Sequence, residues 1–393
     1  MKKFLGLLII IVACSPKAEE EKVYQGKLEE LIIGDFVLEK DDETKDMYDL
    51  QVMEDDGVEL IYYKNADIKN KLIIYKFHEV FSGKLKQQMV IPWEGPDALK
   101  GFPTATLPVG KNKLMALSKV GSVGLYDSLA TKTSEYKVDF NLSSNSSDMV
   151  SLRNGNGLMS FAKGWIQVGQ DPSNVMKNFD PKARLMSSEF PLDFTKWLTW
   201  IHIETGEVKH SDFLAPNGYE HFKHDLTSTI LHGAFDSKRN IYYLSFPYSD
   251  SLYHFENQSL IKKIKPTSNI EFNYLPSEVI PWGTNNTVWA LPKEASQHLF
   301  LLYDSHHDLF VRASKIKESG AGETKFQRTK NYVLSIYSGD WEPKGEYLFD
   351  YKGSLNLENW FLTSQGLFLS KPEQPNEDEY EFYRVDLSRF AGK

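Results

Sequence analysis

The apolar runs of this chain are short, and turn residues close almost every one of them. The clearest is Asn240-Ile241-Tyr242-Tyr243-Leu244-Ser245-Phe246, turned by Pro247-Tyr248-Ser249-Asp250 and answered by Ser251-Leu252-Tyr253-His254-Phe255. Lys71–Tyr75, Lys113–Leu117, Val123–Tyr126 and Trp197–Ile203 follow the same pattern, the last turning at Glu204-Thr205-Gly206-Glu207. Thr287–Leu291 and His298–Tyr303 read as another strand pair. Stretches with a 3.6-residue period are scarce. Turn residues at such close intervals, between runs rich in aromatic and branched residues, predict an all-β protein.

The phrases also recur. Leu125-Tyr126-Asp127-Ser128 matches Leu302-Tyr303-Asp304-Ser305, and Ile91-Pro92-Trp93 matches Ile280-Pro281-Trp282. Aromatic anchors at Tyr75, Tyr126, His202, Tyr253 and Tyr303 lie about 50 residues apart, with one gap of about 75, a period in the range of propeller blades. One four-stranded unit cannot bury both of its faces alone, and radial packing lets neighbouring units cover one another. The expected fold is a β-propeller of six blades, with seven blades, a large β-sandwich or two β-domains as the competing arrangements. The last strand, Glu381–Leu387, alternates Phe382, Arg384 and Asp386 against Tyr383, Val385 and Leu387. Ring closure predicts that it pairs with a strand near the N-terminus, within Leu31–Leu38.

The N-terminus reads as an export signal. Lys2 and Lys3 precede the uncharged run Phe4–Val12, which is too short to span a bilayer but suits a secretory signal. Ile11-Val12-Ala13 then resembles a lipobox ahead of Cys14, the single cysteine of the chain. The expected division is a lipoprotein signal peptide at 1–13, a flexible acidic tether at 14–26 and a propeller domain at 27–393. Cys14 is the expected lipid acceptor, so the partner there is the membrane, and the location is the cell envelope, as an outer-membrane lipoprotein. Ser15–Lys22 is polar and charged, and it resembles the surface-export signal of Bacteroidota lipoproteins. With Cys14 lipidated, no thiol remains for a disulfide or a CxxC site.

A family resemblance rests on longer phrases. They are Ala234-Phe235-Asp236-Ser237-Lys238-Arg239-Asn240-Ile241-Tyr242, Ser245–Tyr253, and Phe361-Leu362-Thr363-Ser364-Gln365-Gly366-Leu367-Phe368 followed by Asn376–Glu379 and Phe382. Together they resemble a family of Bacteroidota lipoproteins with a domain of unknown function related to six-bladed β-propellers. The resemblance covers most of the chain beyond the signal. It implies fold and location, and it carries no activity and no site residues.

The composition and motifs weigh against several chemistries. The formal charge is −9, and without Lys2 and Lys3 the balance is 43 basic against 54 acidic residues. Nucleic-acid affinity comes largely from cations meeting phosphates, so no nucleic-acid partner is expected. His221 with His224, and His306-His307-Asp308, are the histidine clusters, and neither has the ligand spacing of a zinc site. No metal and no cofactor are expected. No Gly-x-Ser-x-Gly elbow occurs, and neither Asn154-Gly155-Asn156-Gly157 nor Gly320-Ala321-Gly322 carries the Lys-Ser/Thr of a phosphate loop. No catalytic residue is assigned.

What remains is a binding or scaffold propeller. Trp93, Trp282 and Trp341 stand beside Pro and Gly in loop-like contexts, and Tyr248 sits at the tip of a strand–turn–strand. These four are the candidate ligand-binding residues, toward a glycan, a peptide or a protein partner. The opposing reading of each is burial in the core, the usual fate of tryptophan. The alternatives in function are a hydrolase or lactonase using the axial channel, and a structural component of an outer-membrane complex.

Overall fold

A computed structural model of the chain describes residues 23–40, 48–67, 69–101, 103–109, 112–118, 120–138, 159–170, 172, 191–282, 286–318, 330–351, 360–374 and 378–392. The segment expected to be a signal peptide, Cys14 and most of the expected tether lie outside the described residues. The N-terminal strands are β1 (Gln25–Lys27) and β2 (Ile32–Glu39). Blade 1 is β3 (Tyr48–Asp55), β4 (Val58–Asp67), β5 (Leu72–Glu79) and β6 (Leu85–Pro92). Blade 2 is β7 (Pro103–Pro108), β8 (Leu114–Ser118), β9 (Ser122–Tyr126) and β10 (Lys132–Lys137). Blade 3 is β11 (Met159–Ala162), β12 (Trp165–Gly169), β13 (Leu198–His202) and β14 (Val208–His210). Blade 4 is β15 (His232–Asp236), β16 (Ile241–Ser245), β17 (Leu252–Glu256) and β18 (Ser259–Ile264). A hairpin of β19 (Glu278–Trp282) and β20 (Asn286–Ala290) follows. Blade 5 is β21 (Gln297–Asp304), β22 (Leu309–Lys315), β23 (Lys330–Ser338) and β24 (Pro343–Tyr351), with β1 added parallel to β24. Blade 6 is β25 (Phe361–Thr363), β26 (Gly366–Ser370), β27 (Glu379–Val385) and β2.

This is the six-bladed propeller that the sequence predicts. The first strand of each blade lies innermost, and inner strands touch across blades: β3 with β25, β25 with β21, β21 with β15, and β7 with β11. The ring closes through the N-terminus as expected. β2 pairs antiparallel with β27 from Ile32 opposite Val385 to Glu39 opposite Glu379. Phe36, opposite Phe382, meets the rings of Phe368 and Phe361 at 5.1 and 6.3 Å. At Gly366, which leads into β26 at φ +120°, a Cβ would stand 2.3 Å from the Val385 carbonyl oxygen, so only glycine lets the closing sheet approach.

Two expectations are corrected. Thr287–Leu291 and His298–Tyr303 do not pair: β20 pairs with β19, and β21 pairs with β22. Both segments are good strands, and strand character does not specify a partner. The anchors also differ in rank. Tyr75, Tyr126, His202 and Tyr253 lie on the third strands β5, β9, β13 and β17, but Tyr303 lies on the innermost strand β21. Likewise Ile91-Pro92 ends an outer blade strand, while Ile280-Pro281-Trp282 belongs to the extra hairpin. The short phrases repeat strand-and-turn chemistry, not blade position.

The two faces of the ring are unequal. Links between strands 1 and 2, and between strands 3 and 4, are short. Asp56-Gly57, Lys163-Gly164, Asn257-Gln258 and Ser364-Gln365 are two-residue turns. The other face carries the long connections, among them 93–102, 211–231 and 265–277.

Candidate functional site

The best-developed site lies on the long-connection face, between blades 4 and 5. Along β22, alternation sends Leu309, Val311 and Ala313 into the core shared with blade 6, and sends Phe310, Arg312 and Ser314 toward blade 4. Register places Ser335 beside Arg312 and Glu346 beside Ser335, so three polar residues cross the sheet in one row. Arg312 is 4% exposed. Its Nη2 donates to the Ser249 carbonyl at 2.9 Å and to Ser245 Oγ at 3.1 Å, and Nη1 donates to the Asp250 carbonyl at 3.3 Å. All three acceptors are neutral. Among the described residues Arg312 makes no ion pair, and its buried Nε has no hydrogen-bond partner. Burial holds the guanidinium below its usual range.

Beside Arg312 is a cavity of about 430 Å³, lined also by Asp250, Lys265, Ser268, Ser335 and Tyr337. Asp250 ends a relay. Ser314 Oγ donates to His298 Nδ1 at 2.7 Å; His298 Nε2 donates to the Tyr274 hydroxyl at 2.6 Å, and Tyr274 donates onward to Asp250 Oδ1. Lys265 Nζ stands 3.1 Å from Asp250 Oδ2. Burial and the Arg312 cation push His298 down to about 3, so the ring is neutral. The His298 ring, with the Tyr274 hydroxyl and Lys265, holds the Asp250 carboxyl well below the usual carboxylate range. Glu346 accepts from Ser268 Oγ and, at 3.0 Å, from the Asn269 amide, tying the segment after β18 over the cavity. Several shifted groups around one cavity mark it as a candidate site. The cavity brings together two cations, buried Arg312 and Lys265 at the rim, with the hydroxyls of Ser268, Ser335 and Tyr337 and the carboxylates of Asp250 and Glu271.

A second cavity, of about 420 Å³, lies on the axis at the short-turn end and is lined by Glu54, Glu59, Asp304 and His306 from the inner part of the ring. Its carboxylates are largely engaged. Glu59 Oε2 accepts from Ser364 Oγ at 2.8 Å, and Asp304 accepts from the amides of His306 and His307 and, at 2.6 Å, from His307 Nδ1. His306 turns away to Glu59 at 3.3 Å, so the two adjacent histidines serve different partners. Among the described residues no group of three metal-ligating side chains converges.

The four candidate residues are not brought together. Tyr248 is 4% exposed, stacks on Phe222 with centroids 4.4 Å apart, and donates to Asp225 Oδ2 at 2.7 Å. Trp341 occupies the turn between β23 and β24 at φ +68° and stacks on Phe310 at 4.1 Å. Trp93, the residue after β6, is half-buried against the core between blades 1 and 2. Trp282 ends β19, opposite Asn286. His221 and His224 lie in the connection between β14 and β15. Sequence reasoning missed Arg312 and its partners. The available signal was a lone arginine at an alternating position of the otherwise buried strand Leu309–Lys315.

A family model described as a domain of unknown function, DUF4221, matches residues 36–348. Among solved structures, the chain is similar to a member of the DUF4221 family from Bacteroides vulgatus. The identity is 13%, the alignment covers 91% of this chain and 97% of that one, and the TM-score is 0.67, a likeness of fold. BamB from Moraxella catarrhalis aligns at 9% identity over 90% and 99% of the two chains, with a TM-score of 0.38. Hydrazine synthase from Kuenenia stuttgartiensis aligns at 12% over 84% and 76%, with 0.41. Similarity at these last two scores supports no functional argument. No curated protein matches the chain.

Proposed function

The chain belongs to the DUF4221 family, and from that premise we propose that it is an envelope-anchored binding propeller that captures a small anionic ligand, a carboxylate or a phosphate, in the Arg312 cavity. One observation carries the reading: a guanidinium that is 4% exposed, and whose hydrogen bonds all go to neutral oxygens, belongs to the lining of a cavity that Lys265 also lines. Burying a charge with no carboxylate in ion-pair contact is costly, and an incoming anion would offset that cost through charge-assisted hydrogen bonds, with Asp250 as the near carboxylate it competes against. Lys265, mostly exposed at the rim, adds a second cation that exchanges between Asp250 and a ligand. The hydrolase alternative has less support, because the axial carboxylates are engaged in hydrogen bonds with their own turns and neighbouring blade.

Isothermal titration against a panel of small carboxylates and phosphates tests this. The full chain binds at least one of them, and Arg312→Gln weakens it by about tenfold or more, the scale of one charged hydrogen bond. A panel without a binder, or equal affinity in the variant, rejects the site. The anchor belongs to the same proposal. Cys14→Ser abolishes fatty-acid labelling in the host if Cys14 is the lipid acceptor, and continued labelling rejects that part.

A further inference from the structure

A cleft of about 160 Å³ lies on the opposite, short-turn face, between blades 3 and 4. Strand alternation builds it. Register pairs Ser160 with Gln167, Gln167 with Trp200, and Trp200 with Lys209, so this row shares the side of blade 3 that meets blade 4. The facing row on blade 4 is Phe235, Tyr242 and Phe255. The floor is polar as well as aromatic. Gln167 is 4% exposed; its Oε1 accepts from the Trp200 indole N–H at 3.0 Å, while its amide nitrogen and the Tyr242 hydroxyl, both buried, have no hydrogen-bond partner among the described residues. Trp165, half-buried, forms the wall, with the His202 ring edge-on at 5.0 Å and the Lys209 ammonium 4.4 Å from its centroid.

The rim comes from turns in a rare conformation. Lys163, Asn240, Asn257 and Gln258 have φ of 50°, 57°, 45° and 69°. Non-glycine residues seldom adopt these values, and four of them line this one small cleft. Three of the four carry side-chain amides. Those of Asn240 and Asn257 make no hydrogen bond among the described residues, while Gln258 accepts from Lys209 at 3.2 Å. No carboxylate lines the cleft. An amide both donates and accepts, as a sugar hydroxyl does, and an aromatic face suits the C–H face of a pyranose.

We propose that this cleft binds one pyranose ring of a neutral saccharide, with its apolar face against the wall of Trp165 and Phe235 and its hydroxyls on the amides of Asn240 and Asn257. The cations at the rim, Lys163 in the lining and Lys209 beside Trp165 and Gln258, are both exposed, and no buried cation in the lining favours an anion. The site is separate from the Arg312 cavity, so either can fail while the other stands.

Isothermal titration of the full chain with glucose, galactose, mannose, N-acetylglucosamine and their β-linked oligomers provides the test. At least one of these binds. Trp165→Ala weakens it about tenfold, the scale of one lost aromatic contact and its burial. Trp165 also packs on the blade core, so a second variant is needed. Asn257→Gly removes an amide at a φ that glycine prefers, and so preserves the turn. It weakens binding several-fold, and Arg312→Gln leaves it unchanged. The proposal is overturned if no saccharide binds, if Asn257→Gly binds as tightly as the wild type, or if Arg312→Gln weakens saccharide binding as much as Trp165→Ala.

Discussion

Blade 4 shows blade 3 a continuous layer of rings and shows blade 5 a smaller ring cluster around Tyr243, Phe310 and Trp341 beside a polar network, and one residue of alternation separates the two sides. Tyr242 and Tyr243 are neighbours on β16, yet the first packs toward blade 3 and the second toward blade 5. On the blade 3 side, Trp197 meets Phe246 at 5.0 Å, Phe213 meets Tyr253 at 4.9 Å, and Trp200 meets Phe255 at 6.0 Å. On the blade 5 side, Ser245 and the carbonyls of Ser249 and Asp250 receive Arg312, with the relay through His298 beside them. Ring packing derives its strength from buried area and is indifferent to pH. The polar side is stabilised only while each group keeps its protonation state and its partner. One seam is built for stability. The other buries the Arg312 charge among neutral oxygens.

The largest expected effect comes from breaking the ring seam. Trp197 is fully buried, and Trp197→Ala should cost about 3–5 kcal/mol of unfolding free energy. Urea denaturation at pH 5 and at pH 8 should give the same loss. A loss that changes strongly with pH would erase the contrast between the seams.

The polar seam should respond to pH instead. His298 is held at about 3 in the fold against an ordinary 6.5, so as pH falls below about 6.5 the unfolded chain takes up the proton first. Stability that is complete above that point should fall by about 1.4 kcal/mol per pH unit, and by roughly 2–3 kcal/mol at pH 4.5. Asp250, also depressed, adds loss in the same direction only at lower pH, within the carboxylate range. His298→Gln should flatten the slope between pH 6.5 and 4.5, and an unchanged slope in that variant would assign it to other groups.

Tyr248 separates packing from hydrogen bonding at the long-connection face. Tyr248→Phe keeps the stack on Phe222 and removes the donor to buried Asp225, at a cost of about 1–2 kcal/mol. A melting temperature equal to the wild type would show that Thr227 and the Ser277 amide satisfy Asp225 without it.

The smallest effect is expected at Arg312 itself. Arg312→Met removes a buried charge and also removes the donors to three neutral oxygens, and the two changes oppose each other. Stability should stay within about 1 kcal/mol of the wild type while anion binding is lost. A loss near that of Trp197→Ala would make Arg312 a structural clamp, and the two seams would then be alike.

Much of the fold was legible because it is local. Strand against turn depends on a few adjacent residues, and Asn240–Phe255 shows the pattern without ambiguity. Closure was legible for a related reason: Glu381–Leu387 alternates cleanly, and the ends of a ring have few other strands available to pair with. The partner of His298–Tyr303 was not legible, because several neighbouring segments are equally good strands. Tyr248 and Trp341 sit in turns, where sequence suggests exposure, but the turns fold back onto rings of their own seam.

The sequence by itself determined the strands, the turns, the blade-like repetition and the closing pair, because period-two alternation and turn chemistry act over short spans. Only the tertiary structure decided the contents of the seams. Arg312 meets Ser249 across 63 positions of chain, and Trp200 meets Gln167 across 33. Whether a polar residue is stranded in a core or facing a cavity depends on which blade stands opposite, and no local pattern carries that information.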